Sequence, residues 1–310
     1  MISQITIFIW IGVLILVGVF QIAFLSFRND LQQNIRRLKN IQSNVFISKY
    51  GDIEYILVGE GQTVLISHGI TGGVDQGIWI SNSCVGKGYR FLYISRFGYL
   101  KSSMPKEASA KRQAAVYNEL LGHLGIESVF IIGNSAGGPS AMYFAADYPQ
   151  KCKGLILLSS HVPGAKISSP PKLVFKYDFV YWLVIKLSGK RLLKMFVPPP
   201  VMETMTKQEI DKTVNQVFMA ALPISKRSEG IFFDNEVSSP SVDSLHFEII
   251  KSPTLIIHAI DDPAPPIKGA RELSVGIPNS KLVIYDGGHL LLHHEHEIQK
   301  VISNFIMQNK

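Results

Sequence analysis

Apolar positions follow three different rhythms along the chain. From Ile5 to Phe27 they are nearly continuous (ITIFIWIGVLILVGVFQIAFLSF), with Gln21 the one strongly polar residue inside the run. At 1.5 Å of rise per residue such a helix is about 34 Å long, enough to cross a hydrocarbon core of roughly 30 Å. Leu31, Ile35, Leu38 and Ile41 then recur at helical spacing among charged residues. That pattern suits a helix lying on an anionic membrane surface, or a linker helix packing on a folded domain.

Beyond about residue 44, short apolar runs alternate with helical stretches. NVFISKYG and IEYILVG read as two strands joined by a tight turn at Gly51-Asp52. TVLISHG (63–69), YRFLYIS (89–95), SVFIIGNS (128–135), CKGLILLSS (152–160), PTLIIHAI (253–260) and KLVIYDGG (281–288) come after them. Several are unbroken Val/Ile/Leu runs, as expected of strands covered on both faces of a parallel sheet. SAKRQAAVYNELLGHLG and PSAMYFAADYP lie between them with helical patterning. Strands alternating with helices predict a doubly wound, mostly parallel α/β sheet.

Residues 161–251 break this rhythm, carrying LVFKYDFVYWLVIKL, VPPPVMETM and VNQVFMAALP but no convincing strand. The interval is too long for a simple connection and too apolar for a disordered loop. A helical insertion capping the C-terminal edge of the sheet accounts for it. Its run from Phe179 to Ile185 has seven residues between Asp178 and Lys186, too few to span a bilayer, and reads as a buried cap helix.

Composition changes this picture in few places. The 310 residues are 46% hydrophobic and 18% charged, enough for one domain of about 250–280 residues and an appendage. Lysine and arginine outnumber aspartate and glutamate by 31 to 24. No cluster of them is interleaved with aromatics, so a nucleic-acid partner is not expected. Cys84 and Cys152 are far apart and form no C-x-x-C motif, which leaves no disulfide framework and no cysteine metal site.

No Lys or Arg precedes the N-terminal apolar run, which is too long for a signal peptide and has no small-x-small cleavage site after it. A retained membrane anchor is therefore expected over residues 1–28, with a juxtamembrane linker helix over 29–44 and the folded domain from 45 to 310. Arg28, Arg36, Arg37 and Lys39 come after the span, and by the positive-inside rule they place the domain in the cytoplasm.

The strongest chemical signal is IIGNSAGG. A buried strand ending at Ile132 leads into Gly133-Asn134-Ser135-Ala136-Gly137, a Gly-x-Ser-x-Gly set before a helical segment. That context fits a nucleophile elbow: small residues at 133 and 137 permit a sharp turn that lifts the Ser135 hydroxyl above the sheet edge. The helix starting there aims its amides at a developing anion. A serine hydroxyl needs a base to take its proton, and that base needs an acid to orient it.

With these features the sequence resembles the α/β-hydrolase superfamily over roughly residues 45–308. The resemblance implies that fold and a nucleophile–acid–histidine order at successive strand ends. Ser135 is followed by PTLIIHAI ending in Asp261-Asp262-Pro263, and KLVIYDGGH ends in His289. In the family the acid sits three residues after a small residue closing its strand. Ala259 holds that place, which selects Asp262 over Asp261 and leaves Asp261 as a loop or supporting carboxylate. No carboxylate follows the earlier strand at Ser159-Ser160-His161.

ISHGITGG resembles the family's His-Gly oxyanion turn, which implies that the amides of Ile70 and Ala136 hold the oxyanion, with Thr71 in reserve because of Gly72 and Gly73. Each such donor is typically worth about 2.7–4 kcal/mol of transition-state stabilisation. His68 is expected to hold the turn rather than move protons. HGITGGVDQG, SRFGYLKSSMP and GNSAGGPSA together look like a little-characterised bacterial subgroup, which brings no substrate with it. Arg96 and Tyr99 in the second of these are expected to be structural.

A serine at the elbow disagrees with haloalkane dehalogenases and epoxide hydrolases, which use aspartate, and His-Gly-Ile-Thr-Gly departs from the His-Gly-Gly-Pro-Gly of proline iminopeptidases. Acyl transfer to water remains, with no cofactor: an esterase, lipase or thioesterase of the carboxylic-ester class. A cap rich in Phe, Leu, Met and Val either favours a small hydrophobic ester or forms only its own core. An acyltransferase or lyase on the same triad, and a non-catalytic binding protein that kept the fold, are the rival readings.

The stretch GGHLLLHHEHE places four of the nine histidines within eight positions. A zinc protease would need His-Glu-x-x-His, but position 298, after His294-Glu295, is Ile. His289 and His293 have no evident third ligand, so no metal site is expected. Gly287-Gly288 frees the chain to present His289, and His293, His294 and His296 are expected on the next helix as solvated or supporting residues.

Overall fold

The computed structural model describes residues 4–165 and 171–310. One unbroken helix, α1 (Gln4–Asn40), carries both the apolar run and the charged segment after it, so the expected anchor and linker are a single rod. No Pro, and no Gly after residue 18, interrupts it. Its apolar part is exposed, and Phe27 is its one buried residue among those described.

Eight strands form one sheet in the order β1-β2-β4-β3-β5-β6-β7-β8. They are β1 (Asn44–Ser48), β2 (Gly51–Val58), β3 (Thr63–Ser67), β4 (Arg90–Ile94), β5 (Val129–Asn134), β6 (Cys152–Leu158), β7 (Thr254–Ala259) and β8 (Ser280–Tyr285). The first two pair antiparallel, β2 runs antiparallel to β4, and every other neighbour is parallel. The first turn departs from the expectation. It is made by Lys49-Tyr50, with Gly51 opening β2 at φ 111°. The Ser48 hydroxyl accepts the Tyr50 amide at 3.1 Å and donates to the Gly51 carbonyl at 2.8 Å, which closes the turn one residue before the glycine.

Helices α2 (Val74–Ile80), α3 (Ala110–His123) and α4 (Gly138–Asp147) follow β3, β4 and β5. The insertion contributes α5 (Lys172–Lys176), α6 (Asp178–Leu192), α7 (Pro199–Thr204), α8 (Lys207–Val217) and α9 (Ser228–Phe233), with no strand among its described residues. Finally, α10 (Ile267–Gly276) and α11 (Glu295–Gln308) flank β8. Side chains of α3, α4 and α10 cover one sheet face; those of α2 and α11 cover the other. This double cover is what the unbroken apolar strands required. A third cluster, centred on Tyr181, Trp182, Ile185 and Leu222, forms the interior of the cap and includes Phe27 of α1.

The cap is held to the sheet by buried charge. Arg96, after β4, meets the Asp234 carboxylate through Nη1 at 2.5 Å and Nη2 at 2.6 Å, with both side chains buried. Burial works against the guanidinium charge, but the Asp234 carboxylate outweighs it and holds the Arg96 pKa above its ordinary range. Tyr99 donates its hydroxyl to the same carboxylate. The positions singled out in SRFGYL thus tie the sheet to the cap.

Candidate active site

The elbow follows from local sterics. Strand β5 continues two residues past Ile132, and Ser135 stands at φ 48°, a left-handed conformation that L-residues rarely adopt. The glycines around it are compelled by close approach. A Cβ on Gly133 would lie 2.8 Å from the Ala141 Cβ, and one on Gly137 would lie 2.1 Å from the Ser67 carbonyl. Ser67 Oγ, the Tyr117 hydroxyl and Ser140 Oγ form a buried network below the turn, and Ser67 Oγ donates to the Gly137 carbonyl at 2.9 Å.

Three side chains from different strand ends meet here. His289 Nε2 lies 2.9 Å from Ser135 Oγ, and His289 Nδ1 lies 2.8 Å from Asp262 Oδ2. The Asp262 side chain is fully shielded, and its Oδ1 accepts the Ala264 amide at 2.8 Å. Asp261 turns elsewhere, accepting the Gly288 amide at 3.0 Å and so bracing the loop that carries the histidine. Gly287 and Gly288 take φ values of 90° and 68°. The Cβ that Gly288 lacks would sit 2.5 Å from the Phe196 carbonyl of the cap. That carbonyl accepts the His289 amide at 2.7 Å, and the Phe196 ring lies 5.6 Å from the imidazole.

The turn after β3 lies against this line of groups. A Cβ on Gly69 would come within 3.2 Å of the Ser135 Cβ, so the backbone leading to Ile70 passes directly beside the serine. Among the described residues, no hydrogen bond engages the amides of Ile70 or Ala136. Gln76, which sequence reasoning passed over, fixes the turn: its Oε1 accepts the Gly69 amide at 2.7 Å and its Nε2 donates to the Ile70 carbonyl at 3.3 Å. His68 is buried, accepting the Arg96 amide on Nε2 at 3.0 Å, with Nδ1 against the Gly69 carbonyl at 2.7 Å. Burial, then the Arg96 charge, push its pKa well below the ordinary value, which leaves a neutral ring that shapes the turn. Thr71 stands at φ 60° and lines the cavity.

A cavity of about 220 Å³ opens over Ser135 and His289. Ile70, Trp79, Leu158, Phe196, Val217 and Leu290 give it a mainly apolar wall. Two features of that wall have no marker in the sequence. Arg37 reaches it from α1, donating through Nη2 to Asp75 Oδ2 at 2.8 Å and to the Ala220 carbonyl at 2.6 Å. Asp75 also receives Arg227 of the cap on both oxygens, at 3.0 and 2.8 Å. Burial would raise the Asp75 pKa, but Arg227 and then Arg37 outweigh it and hold the carboxyl well below the usual carboxylate range. The nearest thing to a signal is the Asp-Gln of HGITGGVDQG, a motif whose spacing assigns these two residues no task. Asp75 binds the cap and α1; Gln76 binds the turn after β3.

One expectation about the histidine-rich stretch needs correction. Helix α11 begins at Glu295, so His293 and His294 precede it and only His296 lies on it. The reason is local: Leu291 and His293 take φ values of 52° and 71°, and a helix cannot run through them. His294 is tied to Asp286 through Nε2 at 2.5 Å and lies against the Tyr285 ring at 4.8 Å.

The alpha/beta hydrolase fold family matches this sequence over residues 62–184. The uncharacterized hydrolase YcgS of Bacillus subtilis (strain 168) is 27% identical over 256 residues, covering 78% of this chain and 89% of that relative. A thermophilic esterase from Thermogutta terrifontis superposes with a TM-score of 0.65 at 21% identity, covering 87% of this chain and 100% of that structure. The chain has the α/β-hydrolase fold. A further relative is the 2-hydroxy-6-oxononadienedioate/2-hydroxy-6-oxononatrienedioate hydrolase of Cupriavidus pinatubonensis (strain JMP 134 / LMG 1197). It is 25% identical over 284 residues, 83% of this chain and 92% of that protein.

Proposed function

We propose that this α/β-hydrolase is a membrane-anchored serine hydrolase that cleaves a carboxylic ester with an apolar acyl group. The observation that carries the reading is the continuous line from Ser135 Oγ through His289 to Asp262, at 2.9 and 2.8 Å. In this reading His289 Nε2 takes the hydroxyl proton as Oγ attacks the acyl carbon. The carbonyl electron pair moves to an oxyanion held by the amides of Ile70 and Ala136. Collapse breaks the bond to the alcohol, which leaves with the proton from His289. A water molecule, deprotonated by His289, then cleaves the acyl-enzyme and frees Ser135. Asp262 stays ionised throughout, orients the imidazole and stabilises its cationic form.

The apolar wall of the cavity supports the substrate class. The Cupriavidus relative is named for a dioate substrate, but a second carboxylate would find little here. Arg37, the one Lys or Arg among the described residues lining the cavity, is committed to Asp75 and the Ala220 carbonyl. The anchor reading rests on the exposed apolar length of α1, with a mean hydropathy of 2.7 over its best window, and on the arginines after it.

The test uses full-length protein in detergent. Ser135→Ala abolishes p-nitrophenyl ester turnover and covalent labelling by a fluorophosphonate probe, while the wild type reacts with both. Undiminished turnover in the variant sinks the assignment. Acid release measured with and without an acceptor alcohol separates a hydrolase from an acyltransferase.

A further inference from the structure

Helix α1 does not end its contact with the cap at the bilayer surface. Phe179, the second residue of α6, meets three rings of the apolar run, with centroids 5.9 Å from Phe20, 6.0 Å from Phe24 and 5.2 Å from Phe27. Phe20 lies seven residues before Phe27, about 10 Å deeper along the axis. If α1 crosses the membrane, the start of α6 sits within the last two turns of the span. Farther along, Trp182 reaches Phe27 and Asp30, and Lys186 pairs with Asp30 at 3.0 Å, so α6 leads away from that level beside α1.

The short helix α5 therefore lies where the span meets the headgroups. None of its residues is buried. Leu173 is 63% exposed and Tyr177, just after it, 48%. An aqueous environment disfavours such side chains, whereas an interface accommodates a leucine and an amphipathic tyrosine together. Lys172 and Lys176 adjoin them in the chain, both exposed, with aliphatic stems that can lie along acyl chains while the charges reach phosphates. Asp178, the next residue after Tyr177, is committed to the Ser225 amide and hydroxyl, both at 2.9 Å. The patch is thus apolar at its centre and positive at its rim.

We propose that the α5 corner of the cap, Lys172–Tyr177, is a second membrane-contacting element that seats in the headgroup region of an anionic bilayer beside the anchor. The inference rests on the anchor reading. It makes the cap a body held to the membrane at two points, one spanning and one interfacial.

Full-length protein carrying Leu173→Cys is labelled with an environment-sensitive dye and reconstituted into phosphatidylcholine vesicles with and without phosphatidylglycerol. Leu14→Cys marks the span, and Val275→Cys, 88% exposed on α10, marks the aqueous side. Cys84 and Cys152 are replaced by alanine in all three variants, so that the introduced thiol is the one labelled. The expected result is severalfold stronger quenching by a lipid-borne quencher at positions 14 and 173 than at 275. Lys172→Glu with Lys176→Glu then weakens the effect at 173 in the phosphatidylglycerol vesicles. Quenching at 14 with position 173 behaving like 275 overturns the proposal and leaves the anchor standing. Absence of quenching at 14 removes the anchor and the proposal together. Protection of 173 that ignores the lipid quencher but rises with protein density assigns the patch to a second copy of the chain, and also overturns it.

Discussion

The sheet edge and the cap are assembled by opposite means. Ser135, Asp262 and His289 sit one, three and four residues beyond the ends of β5, β7 and β8, so backbone geometry carries each side chain to its place. The cap has no such scaffold. It is joined through Arg96–Asp234 and Arg227–Asp75, pairs separated by 138 and 152 positions, and through α1, which shares Asp75 by way of Arg37. A site set by strand ends tolerates change around it. A cap set by a few buried charges depends on every one of them.

That contrast can be broken at its most buried pair. Asp234→Ala leaves the Arg96 guanidinium shielded and uncompensated, and the expected loss is about 3–5 kcal/mol of stability. Thermal unfolding measures it, and a loss under ~1 kcal/mol would mean that the cap is held some other way.

Acid sharpens the same comparison. Burial lowers the pKa of His68 well below 6.5 and that of His161 to about 4. Below 6.5 the unfolded chain takes up protons that the folded one refuses, so stability falls as pH drops from 6.5 toward 4. His68 alone contributes up to about 1.4 kcal/mol per pH unit. Asp75, held well below its ordinary range, stays ionised through this window and keeps the cap pair intact. A melting temperature unchanged between pH 6.5 and pH 5 would contradict the buried neutral histidines.

A smaller effect is expected at α1. Arg37 is 39% exposed and shares its carboxylate with Arg227, so Arg37→Ala costs about 1 kcal/mol or less. It also opens one wall of the cavity. The expected signature is a severalfold rise in KM with kcat nearly unchanged; an equal fall in both kcat and kcat/KM would refute a wall role. Smallest of all, Cys84 lines the cavity with its thiol pushed up to about 12, chiefly by burial. Iodoacetamide at pH 8 should leave it unmodified, as mass spectrometry of the intact protein would read.

What the sequence disclosed divides along the same line. The alternation of apolar runs and helices located every strand to within a few residues, whereas the choice of Asp262, the carboxylate that lies against His289, came from the family resemblance through Ala259. Those signals are local, because a buried strand and a strained turn each restrict their own residues. The cap pairs were invisible, since nothing at Asp234 or Arg227 announces a partner well over a hundred positions away. Positive φ at Leu291 and His293, which delays α11, has no marker in a stretch of leucines and histidines. Gly51 misled for a related reason: a glycine announces an unusual φ but not whether it lies in a turn or beside one.

The rigid passage from Phe27 to Arg37 imposes a phase. Phe27, Asp30 and Arg37 must face the cap and Asp75 together. Each residue added to a helix rotates all later positions by roughly 100°. One insertion among these positions would swing Arg37 off Asp75, while the same insertion near Gly12 would leave the phase from Phe20 to Arg37 unchanged. Drift in length is therefore expected to be free at the outer end of α1 and forbidden over its last three turns.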